Sequence, residues 1–429
     1  MKVFFPYAYY YPEQCAGIFV VDDVMREAAK EGISSFLSVP TPTRNLPENA
    51  KWERTEKQEG GLIYIHRFRM YGEGKNPLLR ALRYLFCEMV QLHYMLWTKY
   101  DVAFVDSTPP IQGLKLPIVR LFRRKKRFVY NAQDLFPETL SGTGLAKTGG
   151  LLWKIGMWVS NVTFKNSDKI IAISHDIKRC IVARGVPSEK VEVVYNWVDE
   201  NAIVPVKDED NELFEEFGIS RDKFRVVYAG NLGNAQNIGI IVDAARRLNE
   251  NHNENHNDNS VQFIIFGKGG LEDEIKAIKE KEYLDNLTIL PLQPYERVAK
   301  VYGLGNVCIV ACKPGLGGAA MPSKTWSIMS SGRTVLANFD EGELKEIIED
   351  NENENKDFDE NQKERKPCGV FTKAGDLDGF VNAIVELSQH PERCEEMGKN
   401  GREFILKNLT REVGTRKYVE VIKSVAIKR

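Results

Sequence analysis

The sequence has little of what marks several large classes of protein. Its 59 Lys and Arg residues are balanced by 60 Asp and Glu residues, and a formal net charge of −1 gives no reason to expect a nucleic-acid partner. Its seven cysteines are scattered, odd in number and without a C-x-x-C pair. This pattern argues against a disulfide framework and a zinc site and indicates reduced thiols in the cytosol. No run of about 18 apolar residues occurs, so we expect no membrane-spanning helix.

Short motifs of several enzyme classes are also missing. The sequence contains no G-x-S-x-G elbow, no P-loop and no H-E-x-x-H pair. His252 and His256 are four residues apart, but they lie in an Asn-rich run rather than in a periodic helix. Asp208 and Asp210 follow no apolar strand. We therefore predict no metal site and no bound cofactor.

What the chain does have is an alternation of short apolar runs with helical patterns. This alternation is typical of parallel sheets that are covered on both faces. It occurs twice, on either side of an acidic, loop-like stretch at Val206–Asn211. Since 429 residues suit two domains, we predict domains at 1–199 and 200–409 and a C-terminal helix within 410–429 that packs toward the first domain. The predicted architecture is two similar α/β sheets that face a cleft.

Three loops of small residues follow predicted strands in the second half. They are GNLGNAQ at Gly230–Gln236, GKGG at Gly267–Gly270, and the stretch from Gly315 that leads into a helix at Pro322. Glycine loops and helix N-termini at the carboxyl ends of parallel strands are suited to anions, and Lys324 adds a full charge. We expect Pro322 to open that helix and Ser323 to cap it. The alternative is a set of ordinary turns and a solvated lysine.

Two features of the first half suggest contact with a membrane surface. The segment Pro77–Trp97 is a predicted helix that is apolar on nearly all sides, and Arg120–Arg127 has six basic residues in eight. Together they suit an anionic bilayer surface. The alternative is a buried core helix beside a solvated charge run. Two polar inserts, Asn249–Ser260 and Asp350–Glu364, are predicted to be surface loops.

Taken together, these motifs resemble a known family. GNLGNAQ, FGKGG, AMPSKTWSIMSSGRTVLA and CGVFTKAGDLDGFVNAIVEL are similar to the nucleotide-sugar domain of family-4 retaining glycosyltransferases. In the first half, YPEQCAG resembles the acceptor-side glycine loop, and QDLFPETL resembles the Asp-x-x-Pro segment. The resemblance implies the GT-B fold, in which two doubly wound, Rossmann-like domains face a central cleft. The subgroup it resembles is the bacterial capsule and O-antigen transferases with a Pro-Ser-Lys motif, including N-acetyl-fucosaminyl transferases.

The resemblance also assigns roles to residues. It implies catalytic roles for Asp134 and Lys324, and an acceptor side formed by Glu13, Ala16, Gly17 and Asp134. It implies a donor site formed by Gly230, Asn231, Gly233, Gln236, Gly267, Lys268, Gly269, Pro322, Ser323, Lys324 and Ser327. The chain departs from the family pattern where a Glu pair, an Arg and Lys pair, and a His are usual. Those positions hold Ala319 and Ser327, Asn231 and Gln236, and Gln133.

The implied activity is metal-independent transfer of a sugar, with retained configuration, from a nucleotide diphosphate donor. The implied acceptor is a polyprenyl-diphosphate-linked glycan of cell-surface polysaccharide synthesis. The expected location is cytoplasmic and peripheral, at the inner face of the plasma membrane. Two alternatives stay open: a sugar-nucleotide 2-epimerase of the same fold, and a homologue that binds nucleotide sugar without turnover.

Overall fold

A computed structural model of the chain describes residues 1–13, 17–43, 46, 49–72, 77–139, 147–255, 261–319, 321–349 and 366–426. Contacts divide the chain into two compact units. The first unit is Met1–Asn196 together with Arg411–Arg429, and the second unit is Trp197–Thr410. The predicted first boundary, at residue 199, is thus placed three residues earlier by the structure.

A largely parallel sheet forms the centre of the first unit. Among the described residues it has eight strands, in the order β3-β4-β2-β1-β5-β6-β7-β8, and β3 alone runs antiparallel to its neighbour. The strands are β1 Lys2–Pro6, β2 Ser34–Pro40, β3 Thr55–Gln58, β4 Ile63–Phe68, β5 Val102–Asp106, β6 Arg127–Ala132, β7 Lys169–Ala172 and β8 Val191–Val193. The central strand β5 is buried along its whole length, and β6 is buried except at its first residue, Arg127, as expected for strands with helices on both faces.

The helices of the first unit lie between these strands in the chain. They are α1 Ile18–Lys30, α2 Pro77–Trp97, α3 Lys115–Phe122, α4 Leu151–Asn166 and α5 His175–Ala183. Helix α1 buries Val20, Val21, Val24 and Ala28, which share one face at helical spacing. It ends where Gly32 takes a φ of +71°, a conformation that glycine adopts readily.

The second unit is built around a fully parallel sheet. Its described strands run in the order β11-β10-β9-β12-β13-β14. They are β9 Phe224–Asn231, β10 Val261–Lys268, β11 Leu287–Pro291, β12 Val307–Ala311, β13 Thr334–Phe339 and β14 Gly369–Lys373. The helices are α6 Leu213–Glu216, α7 Ile238–Asn255, α8 Glu272–Glu282, α9 Val298–Gly303, α10 Lys324–Ser330, α11 Glu343–Ile348, α12 Leu377–Gln389 and α13 Pro391–Asn408. The last helix, α14 Arg411–Val425, returns to the first unit and packs against α1.

Several local predictions need correction. The apolar run Lys2–Tyr9 predicts a first strand of that length, but the strand ends at Pro6. The Asn-rich stretch Asn249–Ser260 is not a loop throughout, because α7 continues to Asn255; residues 256–260 lie outside the described residues. The insert Asp350–Glu364 lies outside them entirely. Strand β3 was not expected, because its sequence TEKQ has no apolar pattern; it pairs only with β4 and its side chains alternate between exposed and half-buried.

Candidate functional site

The register of the second sheet brings two of the predicted glycine loops together. Strands β9 and β10 pair so that Gly230 lies opposite Gly267 and Asn231 lies opposite Lys268. Both loops therefore leave the sheet at the same carboxyl edge, which is where open α/β sheets bind ligands. The backbone of Leu232 ties them, because its N–H donates to the Lys268 carbonyl at 3.0 Å and its carbonyl accepts from the Leu271 N–H at 3.0 Å.

Lys324 reaches this edge from the first residue of α10. Its Nζ atom donates to the Tyr228 hydroxyl at 2.7 Å and lies 4.1 Å from the centre of the Tyr228 ring. A cation over an aromatic face gains some electrostatic stabilisation, but neither the hydroxyl nor the ring of Tyr228 carries a negative charge that would compensate the ammonium. Burial lowers the pKa of Lys324 to about 7, because the charged form loses hydration. The site therefore holds a cation that is poorly compensated by the protein.

Gly230 allows Lys324 to take this path. A Cβ atom at residue 230 would lie 2.5 Å from the Lys324 Nζ atom and 2.6 Å from its Cε atom. The residue also has a φ of +141°, which side chains rarely permit. Position 230 therefore favours glycine for two reasons: the Lys324 side chain passes over it, and its backbone conformation is one that other residues rarely adopt.

The side chains of Asn231 and Gln236 contact each other across the first loop. The amide nitrogen Nδ2 of Asn231 donates to Oε1 of Gln236 at 3.4 Å, and both face Gly233, where a Cβ would lie 2.6 Å from that nitrogen. The Tyr228 hydroxyl donates to the Asn231 carbonyl at 2.8 Å. Two neutral amides thus occupy the positions where the family pattern has cations, so that Lys324 and the exposed Lys268 are the charged residues of the predicted donor site.

Gly267 and Gly269 have a packing role. A Cβ at Gly267 would lie 2.5 Å from the Leu232 Cδ2 atom, and a Cβ at Gly269 would lie 2.5 Å from the Leu232 carbonyl oxygen. These glycines let the loop after β10 close against the loop after β9. Their occurrence in the sequence is therefore explained by this close approach, whether or not an anion binds.

The third predicted loop leads into α10 with two corrections. The helix begins at Lys324 and not at Pro322, and Ser323 does not cap it, because its side chain accepts no backbone N–H at that end. The Pro322 carbonyl instead accepts from the Thr325 N–H at 3.0 Å. Ser327 lies three residues after Lys324 in the helix and is half-buried, so it shares the lysine's side of α10.

On the predicted acceptor side, Glu13 is used within the loop that carries it. Its carboxylate is almost fully buried and accepts from the Tyr10 N–H at 3.3 Å and from the Thr43 N–H at 2.8 Å. These bonds hold the loop after β1 against the segment after β2. Gly17 immediately precedes α1 and is exposed, whereas Ala16 lies outside the described residues.

Gln133, the residue before Asp134, is held by a network of polar side chains. Its Nε2 atom donates to the Asn131 side-chain oxygen at 2.9 Å and to the Tyr418 hydroxyl at 3.1 Å. Its Oε1 atom accepts from the Asn196 amide at 2.6 Å. Tyr418 lies on α14, so the C-terminal helix supplies part of this site. Sequence reasoning missed Tyr418, since a tyrosine in an amphipathic helix gives no sign of such a partner.

Asp106, the last residue of β5, also belongs to this network and was not predicted. The Asn131 Nδ2 atom donates to its carboxylate at 3.1 Å. Burial raises the pKa of Asp106 to about 7, and the negative charge of Asp134 adds to that rise. Asp134 itself is accessible to water, and partial desolvation raises its pKa. The carboxyl edge of the first sheet thus presents two carboxyl groups beside neutral amides and hydroxyls.

Metal binding finds no support in the geometry. Across the described ranges, no three His, Cys, Asp or Glu side chains lie close enough to hold a metal ion. Metal independence therefore stays a prediction.

The two predicted membrane features have distinct environments. Helix α2 is not a buried core helix, because Leu82, Leu85, Phe86 and Met89 are 44–60% exposed. In the basic run, Arg120 and Arg127 pair with Asp168 at 2.9 and 3.1 Å, whereas Arg124 and Lys125 are exposed. None of the helices that the structure describes is both long enough and apolar enough to cross a bilayer.

Two family models match the chain one after the other. The model described as Glycosyltransferase Family 4 matches residues 19–202. The model described as Glycosyl transferases group 1 matches residues 209–404. The first match covers most of the unit that holds Glu13 and Asp134, and the second covers every residue of the predicted donor site.

Curated relatives match part of their own length. The chain is 27% identical over 213 residues to an Escherichia coli K12 protein named as the colanic acid biosynthesis glycosyl transferase WcaI, covering 49% of this chain and 50% of that protein. It is 22% identical over 253 residues to the Pseudomonas aeruginosa glycosyltransferase WbjE, covering 58% of this chain and 60% of that protein. The chain therefore spans only half to three-fifths of the length of these relatives.

Solved structures match over the whole chain. Sucrose-phosphate synthase from Thermosynechococcus elongatus superposes with a TM-score of 0.74 at 14% identity, covering 99% of this chain and 98% of that one. HepE from Anabaena, solved in complex with UDP, superposes with a TM-score of 0.69 at 15% identity, covering 99% and 100%. At these identities the likeness shows the fold, and it confirms the predicted fold class. The chain is thus similar to the Glycosyltransferase Family 4 model in its first half and to the Glycosyl transferases group 1 model in its second half, and its two α/β Rossmann-like units have the GT-B fold.

Proposed function

We propose that the protein transfers a sugar, with retention of configuration, from a nucleotide diphosphate donor to a polyprenyl-diphosphate-linked glycan. The observation that carries the proposal is the uncompensated ammonium of Lys324 at the carboxyl edge of the second sheet, beside the Gly230 and Gly267 loops. A diphosphate bound there would supply the missing negative charge. The resemblance to HepE, which was solved with UDP, supports the same ligand class.

In the proposed chemistry, the main role of the protein is to stabilise the leaving group. As the bond to the sugar breaks, negative charge accumulates on the diphosphate, and a preorganised cation with backbone amides lowers the energy of that state. Lys324 is the proposed source of that charge, with Lys268 as a helper. Asp134 is the proposed acceptor-side carboxylate, positioned one residue after the hydrogen-bonded Gln133.

The proposed acceptor places the reaction in cell-surface polysaccharide synthesis, of the capsule, exopolysaccharide or O-antigen type. The name of the relative WcaI, a colanic acid biosynthesis glycosyl transferase, and the Pro-Ser-Lys motif support this context. Such an acceptor requires a protein that works at a membrane surface. The exposed apolar residues of α2 and the exposed cations Arg124 and Lys125 support a peripheral position at an anionic inner leaflet.

Product analysis tests the proposal. The purified protein would be incubated with a panel of UDP- and GDP-sugars, with and without a lipid-linked acceptor fraction, and the products identified by mass spectrometry and by NMR of the new anomeric centre. We expect release of nucleoside diphosphate only when acceptor is present, with the donor configuration retained. Conversion of the donor without acceptor would favour a 2-epimerase, and binding without turnover under any acceptor would favour a non-catalytic homologue.

A further inference from the structure

A groove on the outside of the first unit has no role in the site described above. It lies between α2 and α3 and has a volume of about 580 Å³, within the range of small-molecule sites. Its walls are almost wholly apolar. They are formed by Tyr71, by Leu82, Leu85, Phe86, Met89 and Leu92 of α2, and by Ile111, Leu114 and Ile118 on the α3 side, with Glu88 and Lys115 also at the lining.

The charged pair in the groove adds no net charge to it. The Lys115 ammonium lies 2.7 Å from the Glu88 carboxylate and also donates to the side-chain oxygens of Gln91 and Gln112 at 2.6 and 2.9 Å. The cation is thus fully compensated inside the protein. The apolar wall residues, in contrast, are only partly covered by the part of the chain that the structure describes: Leu82, Leu85, Phe86, Met89 and Ile118 are 41–60% exposed. A groove of this kind suits an apolar chain.

The groove runs along the first unit, from the carboxyl edge of its sheet toward the opposite end. Helix α2 follows β4 and the Pro110–Leu114 turn follows β5, so the end near Leu82 and Ile111 lies toward the carboxyl edge of the sheet, the edge that carries Asp106 and Asp134. Toward the other end lie Trp97, Leu121 and Phe122, which are 67–72% exposed, and then Arg124 and Lys125. From Leu82 to Trp97 the helix rises by about 22 Å.

The charges on these helices favour an anionic lipid over a protein partner. Helices α2, α3 and α4 together carry six Lys and Arg residues (Arg80, Arg83, Lys115, Arg120, Lys154 and Lys165) and one acid, the paired Glu88. The whole chain, by comparison, has a net charge of −1. At the carboxyl-edge end of the groove, Arg83 is almost fully buried and donates from Nη1 to the carbonyl of the groove residue Tyr71. Its Nη2 atom has no hydrogen-bond partner in the described part of the chain.

We propose that the groove between α2 and α3 binds the isoprenoid chain of the acceptor's polyprenyl carrier, with Arg83 near its phosphate end. This inference rests on the proposed function and adds a binding site to it. Trp97, Leu121 and Phe122, at the end of the groove away from the carboxyl edge, contact the bilayer. The groove covers the isoprenoid chain while the phosphate end moves away from the membrane toward the carboxyl edge. Without cover, that apolar length would be exposed to water.

Photo-crosslinking tests the site directly. The probe is a polyprenyl monophosphate with a benzophenone on its chain, presented to the full-length protein in neutral phosphatidylcholine vesicles. We expect labelled peptides from α2 and α3, and competition by unlabelled polyprenyl phosphate but not by equal phosphatidylglycerol. The variant Leu85→Gln/Met89→Gln should lower labelling by roughly tenfold. The matched control Leu151→Gln/Leu152→Gln alters residues of α4 that are 75% and 60% exposed and should leave labelling unchanged.

Each other outcome overturns the proposal. Labelling spread equally over α2, α3 and α4, or displaced by phosphatidylglycerol, would make this face a general bilayer contact. Failure to label, or a dimer that dissociates in the Leu85→Gln/Met89→Gln variant, would assign the groove to no lipid or to a second copy of the chain. UDP titration of the same samples distinguishes failure of the groove proposal from failure of the proposed function. UDP binding without labelling rejects only the groove, whereas a wild type that does not bind UDP argues against the proposed donor.

Discussion

Lys324 is a charged group whose surroundings leave its charge largely uncompensated. Its described contacts at this edge are a neutral hydroxyl and an aromatic face, and its pKa falls to about 7. An anion that binds there restores the lost electrostatic stabilisation, and it does so without having to break an existing ion pair. The geometry of Gly230 and Lys324 therefore makes two predictions about nucleotide binding.

Replacing Gly230 with Ala should weaken UDP binding by about tenfold or more. The new Cβ would displace the Lys324 ammonium and would strain a backbone at φ +141°, which costs on the order of 1–3 kcal/mol. The matched control is Gly239→Ala in α7, where no atom lies within 4 Å of the added carbon. The control should bind UDP as the wild type does. Equal affinities for the two variants in calorimetric titration would contradict the assigned path of Lys324.

The affinity for UDP should fall as the pH rises above about 7. Free Lys324 loses its proton near that pH, whereas a bound diphosphate raises the lysine's pKa, so binding takes up a proton. The dissociation constant should therefore rise by up to about tenfold per pH unit until the pKa of the complex is passed. Titrations between about pH 7.5 and 9.5 avoid the second phosphate ionisation near pH 6. In Lys324→Ala this slope should vanish; an identical slope in both proteins would assign the proton to another group.

At the scale of elements, α14 joins the C-terminal end of the chain to the acceptor-side network. The Tyr418 hydroxyl donates toward the Asn131 and Asn196 side-chain oxygens at 3.2 and 3.3 Å and accepts from Gln133. These groups are buried or half-buried, and the Asn131 and Asn196 oxygens also accept from the Gln133 amide, so loss of the hydroxyl removes part of the network and leaves the rest in place. The helix thus does more than cover the apolar face of α1.

The substitution Tyr418→Phe should lower the free energy of unfolding by about 0.5–1.5 kcal/mol, the net contribution of a typical hydrogen bond. Urea denaturation followed by circular dichroism measures this change. Tyr283→Phe is the matched control, because Tyr283 is 79% exposed and its loss of a hydroxyl should change stability by less than about 0.5 kcal/mol. Equal stability of the two variants would show that the network adds nothing to the fold.

The elements also show where sequence reasoning succeeds. The sequence predicts helices over Ile18–Lys30 and Pro77–Trp97 and a strand over Thr334–Phe339, and helix α1, helix α2 and strand β13 have these bounds, because each has a clear apolar pattern. Helix α7 runs on through polar residues to Asn255, where composition predicts a loop. The contact of Lys324 with Tyr228 and the contact of Gln133 with Tyr418 join residues 96 and 285 positions apart. No local pattern reports such pairs, since the fold alone brings them together.

At the scale of the whole molecule, charge is unevenly distributed. A chain with a net charge of −1 concentrates cations on the outer helices of its first unit and in the run that ends at Arg127. This asymmetry is what attracts a protein to an anionic surface, and salt should weaken that attraction because the Debye length is only about 8 Å at physiological ionic strength.

Replacing Arg124 and Lys125 with Gln should weaken binding to anionic vesicles by about 1 kcal/mol per charge, more at low salt than at high salt. Both side chains are exposed, so folding should be unaffected. The matched control, Lys399→Gln/Lys407→Gln, removes two exposed lysines from α13 and should leave vesicle binding unchanged. Vesicle co-sedimentation measures both; a wild type that fails to sediment at low ionic strength would make the basic run a solvated surface.

In the proposed function Lys324 binds the diphosphate of a nucleotide-sugar donor, and calorimetric titration with UDP and GDP measures this binding. We expect the wild type to bind at least one of them and Lys324→Ala to weaken this binding by about 1.5–3 kcal/mol, the range for a charge-assisted hydrogen bond. Lys268→Ala, which removes an exposed lysine at the same edge, should cost about 1 kcal/mol or less. A folded Lys324→Ala protein that retains wild-type affinity would contradict the account.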